Sequence, residues 1–176
     1  MNTGTDRSRQ DARYREAAAA HARDLARFAA GYERDPARRR DLIQDMHVAL
    51  WRSFAGFDER CSLRTWVYRV AHNVGASHVQ RSLRDGNSLA LDAVAARADD
   101  GADPAHIDRA LDLARVMSLV HALAPLDREV MLLYLEGLDA AAIGEIAGLS
   151  ARNVATKVHR IKALLAQRIN PPEPSP

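Results

Sequence analysis

Turn signals are sparse over two long stretches of this chain, 11–84 and 104–169, while the stretch between them holds Gly86, Asn87, Gly101 and several aspartates and has no sustained period of large apolar residues. Long runs with few glycines and prolines, and with apolar residues recurring every three or four positions, read as helices joined by short turns. Nothing argues for strands. The expected fold class is all-α: two small helical domains, 11–84 and 104–169, joined by a flexible acidic linker at 85–103, with a disordered proline-rich tail at 170–176.

In the first block, Asp11 to Glu33 carries Leu25, Phe28, Ala29 and Tyr32 on one stripe. Asp35-Pro36 then supplies an N-cap and a proline at the first helical position. The helix that follows sets Leu42, Ile43, Met46, Leu50 and Phe54 on one side, and Gly56 ends it. Ser62 caps a third helix running to about Arg84, with Val67, Val70, Ala71, Val74 and Val79 as its expected buried face. Three helices with one apolar stripe each make a small bundle. The second block opens on Asp103-Pro104. Leu111, Met117, Leu119, Val120 and Leu123 lie on a helix that stops before Pro125. Asp127 to Glu136 follows, then a short helix from Asp139 to Ala147, a Gly148-Leu149 turn, and a last helix from Ser150 to about Ile169.

Charge sorts along the same boundaries. The net charge of the 176 residues is +2, but residues 1–84 carry +6, residues 85–112 carry −5 and the remainder +1. A basic front, an acidic middle and a near-neutral back fit two lobes and a connector. The longest run of large apolar residues, Val130 to Leu135, is far short of the ~20 residues a membrane span needs, and Met1 to Gln10 lacks a signal peptide's apolar stretch. The single cysteine, Cys61, excludes a disulfide framework and any multi-cysteine metal site. These features predict a cytoplasmic protein without membrane insertion, cofactor or metal.

Asp139 to Arg168 has the grammar of a helix-turn-helix: a short capped helix, a glycine-containing turn and a longer capped helix. Ile143 and Ile146 can meet Val154, Val158 and Ile161, and Gly144 permits close approach. From Ser150 to Arg168 there are Arg152, Lys157, Arg160, Lys162 and Arg168 and no acid. The cations suit phosphates, while Asn153 and Thr156 are placed to reach base edges. A solvated basic face on a structural helix is the plainer alternative.

The front lobe has a different signature. Trp51, Phe54, Phe57, Trp66 and Tyr68 fall within 18 residues, among Arg52, Arg60, Arg64 and Arg69. Aromatics between cations suit single-stranded nucleic acid, where bases stack and phosphates meet arginine; core packing is the competing reading for Trp51, Phe54 and Trp66. Upstream, Asp41, Gln44 and Asp45 share one helix face. With no companion nucleophile or glycine-rich loop, a protein-contact face suits them better than acid–base catalysis, and no catalytic residue is expected. Cys61, His72 and His78 lack metal-ligand spacing.

Two segments resemble one family. DLIQDMHVALWRSFAGFDERCSLRTWVYRVAHNV resembles region two, and LAPLDREVMLLYLEGLDAAAIGEIAGLSARNVATKVHRIKALL region four, of the extracytoplasmic-function (ECF) sigma factors, the two-domain group of the sigma-70 family. The resemblance implies a non-enzymatic promoter-specificity subunit that binds core RNA polymerase and is a monomer when free. Asp41, Gln44 and Asp45 would dock on the polymerase largest subunit. Phe57, Arg60, Arg64, Trp66, Arg69 and Asn73 would contact the −10 element, melted and held as a single strand. Ser150, Arg152, Asn153, Thr156, Lys157 and Arg160 would contact the −35 element as duplex. The acidic linker would run through the polymerase cleft, and an anti-sigma factor is a further expected partner. The chain departs from the family pattern at His72, where arginine is usual, at Ser77, where aspartate is usual, and at Ala141 and Ala142, where acids are common. The rival reading is a stand-alone helix-turn-helix regulator of duplex DNA, which needs neither the aromatic–arginine segment nor the acidic connector.

Overall fold

The computed structural model describes residues 3–85 and 115–169. Among the described residues the regular structure is helical throughout: α1 (Thr3–Ala30), α2 (Pro36–Ser53) ending in a 3₁₀ turn (Phe54–Gly56), α3 (Leu63–Arg84), α4 (helical over 115–121), α5 (Pro125–Leu135), α6 (Ala140–Ala147) and α7 (Ala151–Ile169). The chain divides into two compact units, Met1–Ala90 and Leu91–Pro176. The expected linker beyond Asp85, the start of the second block at Pro104 and the expected tail lie outside the described residues.

Local capping sets the helix starts. The Asp35 carboxylate accepts from the Arg38 N–H at 2.8 Å, Ser62 Oγ from the Thr65 N–H at 3.1 Å, Asp139 from the Ala142 N–H at 2.8 Å, and Ser150 Oγ from the Asn153 N–H at 3.2 Å. Each side-chain oxygen satisfies one amide that the first helical turn leaves without a carbonyl. Two helices differ from expectation. α1 begins at Thr3, since no proline before Asp11 interrupts it, and ends at Ala30 rather than Glu33. α5 begins at Pro125 rather than Asp127, because proline's fixed φ suits the first helical turn.

In the first unit α1 buries Ala17, Leu25, Phe28 and Ala29, and α2 buries Leu42, Met46 and Leu50. Phe28 meets Tyr32 and Tyr68 edge-on, with ring centroids 5.3 and 5.4 Å apart. The buried face of α3 is displaced from the expected one. Val67 and Ala71 are buried, but Val70, Val74 and Val79 are only half-buried, and Tyr68, His72, Gly75 and Ser82 lie inside. α3 packs against both α1 and α2, which broadens the stripe it must bury, and its polar members have partners. Tyr32 Oη lies 3.1 Å from His72 Nδ1, while burial pushes the His72 pKa down and favours a neutral ring. A Cβ on Gly75 would stand 2.8 Å from the Tyr32 ring, so α3 can come this close only where it carries no side chain.

The most demanding feature of this unit is ionic. Glu33 follows the turn that ends α1 and its side chain is 2% exposed. Its carboxylate lies 2.8 Å from His78 Nε2 on α3 and 3.3 Å from Arg38 Nε on α2, and accepts the Asp35 N–H at 3.0 Å. Arg38 in turn donates to the buried Ser82 of α3. One carboxylate therefore ties the end of α1 to the starts of α2 and the last turns of α3.

The second unit repeats the device. Val130 and Leu133 on α5, Ile143 on α6, and Val154 and Ile161 on α7 form its core. A Cβ on Gly144 would stand 2.5 Å from the Leu149 carbonyl oxygen, and Gly148 takes the left-handed conformation that ends α6 (φ 70°). Asp127, in the first turn of α5, accepts from Lys157 Nζ at 2.7 Å and Arg160 Nη2 at 2.6 Å on α7; its side chain is 14% exposed. Burial works to raise its pKa, but the hydrogen bonds and charges of Lys157 and Arg160 outweigh it and hold the carboxyl below its ordinary 3.8.

Glu33→Ala leaves a histidine and an arginine facing a vacated site. It should cost the first unit about 3 kcal/mol in urea denaturation; a loss below about 1 kcal/mol would show that the carboxylate holds nothing together. For Asp127→Asn the expected loss at pH 7 is about 1–2 kcal/mol, discounted for the exposure of Arg160. A carboxylate with a lowered folded pKa contributes its stability above the unfolded value and loses it as pH falls through the folded one. The gap between wild type and Asp127→Asn should thus be full above pH 5 and close below the ordinary value of 3.8. A gap unchanged at pH 3 would contradict the pairing.

Candidate nucleic-acid interface

Two surfaces of the first unit carry the residues singled out above. Asp41, Gln44 and Asp45 are all exposed on α2, on the side away from Leu42, Met46 and Leu50. Val48, 42% exposed, continues that face. Asp45 reaches across to Arg81 of α3 at 3.7 Å. Between α2 and α3 lies a shallow groove lined by Asp45, Val48, Arg52, Asn73, Ser77 and Arg81. Residues expected to meet a protein and residues expected to meet DNA therefore border one groove, a juxtaposition that sequence spacing did not reveal. Ser77 donates back to the Asn73 backbone carbonyl at 2.8 Å, and Asn73 itself is exposed at the rim.

The aromatic segment is divided between the interior and the surface. Phe54 is buried. Phe57 and Trp66 are half-buried and stacked at a tilt, 5.0 Å between centroids, with Phe54 5.8 Å from Phe57. Trp66 Nε1 donates to Ser53 Oγ at 2.9 Å, and Ser53 donates to the Leu50 carbonyl at 2.8 Å, so the indole is fixed in angle as well as position. The Arg69 guanidinium lies 5.9 Å from the Trp66 ring, and that of Arg64 5.8 Å from the Tyr68 ring. Trp51 is spent on structure, its indole N–H donating to Asp11 at 2.8 Å. Arg60 stands out in the loop before α3 with its side chain 88% exposed, steadied by Asp58 at 2.9 Å. A rigid, partly open aromatic platform edged by guanidinium groups is chemically suited to stacking bases and neutralising a strand backbone.

In the second unit, Arg152, Asn153 and Thr156 are exposed on the first two turns of α7. Thr156 Oγ1 donates to the Arg152 carbonyl at 3.0 Å, and Ser150 Oγ is engaged as the cap. Lys157 and Arg160 are held by Asp127, which orients them while reducing their net charge. Asp127 was not singled out in the sequence, although an acid facing two cations of the next helix is what anchors α7. Lys162 sits 5.6 Å from the Tyr134 ring, beside an apolar groove lined by Leu138, Ile143 and Val158. Among the described residues there is no cluster of acids, histidines or cysteine able to hold a metal, and no helix long and apolar enough to cross a membrane.

Comparison with known proteins places these units. Residues 17–84 match the family model for Sigma-70 region 2, and residues 113–165 that for Sigma-70, region 4. No curated protein sequence matches the chain significantly. Among solved structures, CnrH in complex with the cytosolic domain of CnrY is similar at 22% identity and a TM-score of 0.67, covering 96% of this chain and 99% of that one. The sigma factor RpoE from Bartonella quintana, in complex with the anti-sigma factor NepR, is similar at 19% identity and a TM-score of 0.71, covering 92% and 98%. The two models succeed one another along more than two thirds of the residues, so the chain belongs to the sigma-70 family of transcription initiation factors, with a pairing of regions 2 and 4 like that of the ECF sigma factors.

Proposed function

We propose that this sigma factor binds core RNA polymerase, places its two units on the −10 and −35 elements of a promoter, and traps the opened strand, leaving catalysis to the polymerase. The observation that carries this reading is the first unit's combination of an exposed acidic face on α2 with an aromatic–arginine platform at the start of α3. A binder of duplex DNA alone has no use for either. Asp41, Gln44 and Asp45 take the docking role on the polymerase. Phe57, Trp66, Arg60, Arg64, Arg69 and Asn73 serve the −10 strand, bases against rings and phosphates against guanidinium groups. Arg152, Asn153 and Thr156 read the −35 duplex, while Ser150, Lys157 and Arg160 set the helix end and its phosphate contacts.

Residues 85–103 act as the acidic connector between the units, running through the polymerase cleft with their aspartates imitating the charge of nucleic acid. The similarity to a sigma factor crystallised with its anti-sigma factor supports a comparable inhibitory partner here. Each lobe can neutralise few phosphates, so free DNA is bound weakly and with strong salt dependence.

The test is run-off transcription with core polymerase from the same organism on a library of its promoters, with and without this protein. New start sites sharing two motifs at a fixed spacing are expected. Tight binding to duplex DNA without polymerase, and no initiation with it, would instead establish a stand-alone regulator. Asp41→Ala combined with Asp45→Ala should weaken core binding by roughly tenfold in low salt and less at high salt, with helix content unchanged.

A further inference from the structure

α1 extends well upstream of the region 2 match, which begins at residue 17. The extra turns are in contact with the region 2 body. Gln10 Nε2 donates to the Trp51 carbonyl at 2.7 Å, Asp11 accepts the Trp51 indole N–H, and Tyr14 Oη lies 3.1 Å from His47 Nδ1. These positions share one helix face with Ala17, which is fully buried. Between them, Arg13 points at the loop joining α2 to α3. Its guanidinium forms an ion pair with Glu59 and lies 5.7 Å from the centroid of the Phe57 ring. Glu59 holds a left-handed backbone conformation, φ 62°, which costs a residue with a side chain about 1 kcal/mol and persists only where its surroundings hold it.

From this juxtaposition we infer that the turns of α1 carrying Gln10 to Tyr14 form a latch on the loop 57–62 and that Arg13 is a positioning residue for strand capture. Arg13 engages the loop at two points two residues apart, the Phe57 ring and the Glu59 carboxylate. Phe57 is thereby pressed on Trp66, and Arg60 and Cys61 follow from a fixed backbone. With the latch closed, the platform is in place before any base arrives, so ordering cost is not charged against the strand. Arg13 acts through Phe57 and Glu59 and needs no contact with DNA. The inference rests on the strand-opening role proposed above.

The experiment uses the full chain with Arg13→Ala, Arg13→Lys and Glu59→Ala. In the free protein, backbone amide exchange across 57–62 should accelerate in Arg13→Ala and Glu59→Ala and be largely restored in Arg13→Lys. With core polymerase, on a promoter the wild type initiates from, run-off from closed duplex should fall roughly threefold to fivefold in Arg13→Ala, what a part-exposed ion pair with a cation–π contact is worth. At saturating protein, the same promoter carrying a pre-opened −10 bubble should be transcribed at nearly the wild-type rate, because melting no longer draws on the energy of strand capture. Unchanged exchange across 57–62 overturns the latch, and equal losses on duplex and bubble overturn the positioning role. If the wild type initiates on neither template, the opening role falls with the sigma mechanism, and the exchange data, which need no polymerase, still decide whether the latch exists.

Discussion

A carboxylate taken almost wholly out of water is costly to keep charged, and the first unit is arranged around one. Glu33 sits where α1 ends, and its three partners come from the turn into α2, the first turn of α2 and the last turns of α3. Removing any helix end from that meeting point strands a charge. The burial of apolar side chains such as Phe28, Tyr32, Leu42 and Tyr68 supplies the bulk of the stabilisation; the ionic centre decides which helix ends meet and in what register. Asp127 does the same for the second unit, where it fixes the angle at which α7 presents Arg152 and Asn153.

The two anchors differ in what they leave available. Glu33 consumes its partners internally, far from the aromatic platform at the other end of α3. Asp127 grips cations that belong to the presented face, so the positive charge of α7 is moderated and its side chains are pre-oriented. On the proposed reading, in which α7 enters a duplex groove, ordered donors serve better than extra charge, because charge adds affinity for any sequence while geometry discriminates among sequences. The single-strand role proposed for the first unit asks for the opposite arrangement. A single strand offers faces of bases, and the Phe57–Trp66 pair, with the Trp66 indole N–H committed to Ser53, offers ring surface without a competing donor.

Much of this architecture is legible in the amino-acid sequence, and the division follows range. Asp35, Ser62, Asp139 and Ser150 act within three residues, so the caps and the helix starts they set can be read directly. The helix-turn-helix core is legible for the same reason, since Ile143, Ile146, Val154, Val158 and Ile161 obey a local period. Contacts between residues far apart in the chain are not. Glu33 with His78, Asp127 with Arg160, and Arg13 with Glu59 carry no spacing signal, because ion pairs of this kind leave no periodic trace. The buried face of α3 differs from the expected one for a related reason. His72, Gly75 and Ser82 look like surface or breaker residues until Tyr32 and Arg38 are placed beside them. The departure at His72 from the family's usual arginine thus has a structural reading: a neutral imidazole fits against the Tyr32 hydroxyl inside the bundle.

The division of labour between the units is the central claim, and footprinting of the polymerase complex on one promoter tests it most directly. Arg152→Ala with Asn153→Ala should abolish protection at the upstream element. Arg60→Ala with Arg64→Ala should leave that protection in place and remove permanganate reactivity of thymines near the start site. Loss of both signals together in the Arg60 and Arg64 variant, or upstream protection by the chain without polymerase, would contradict the account.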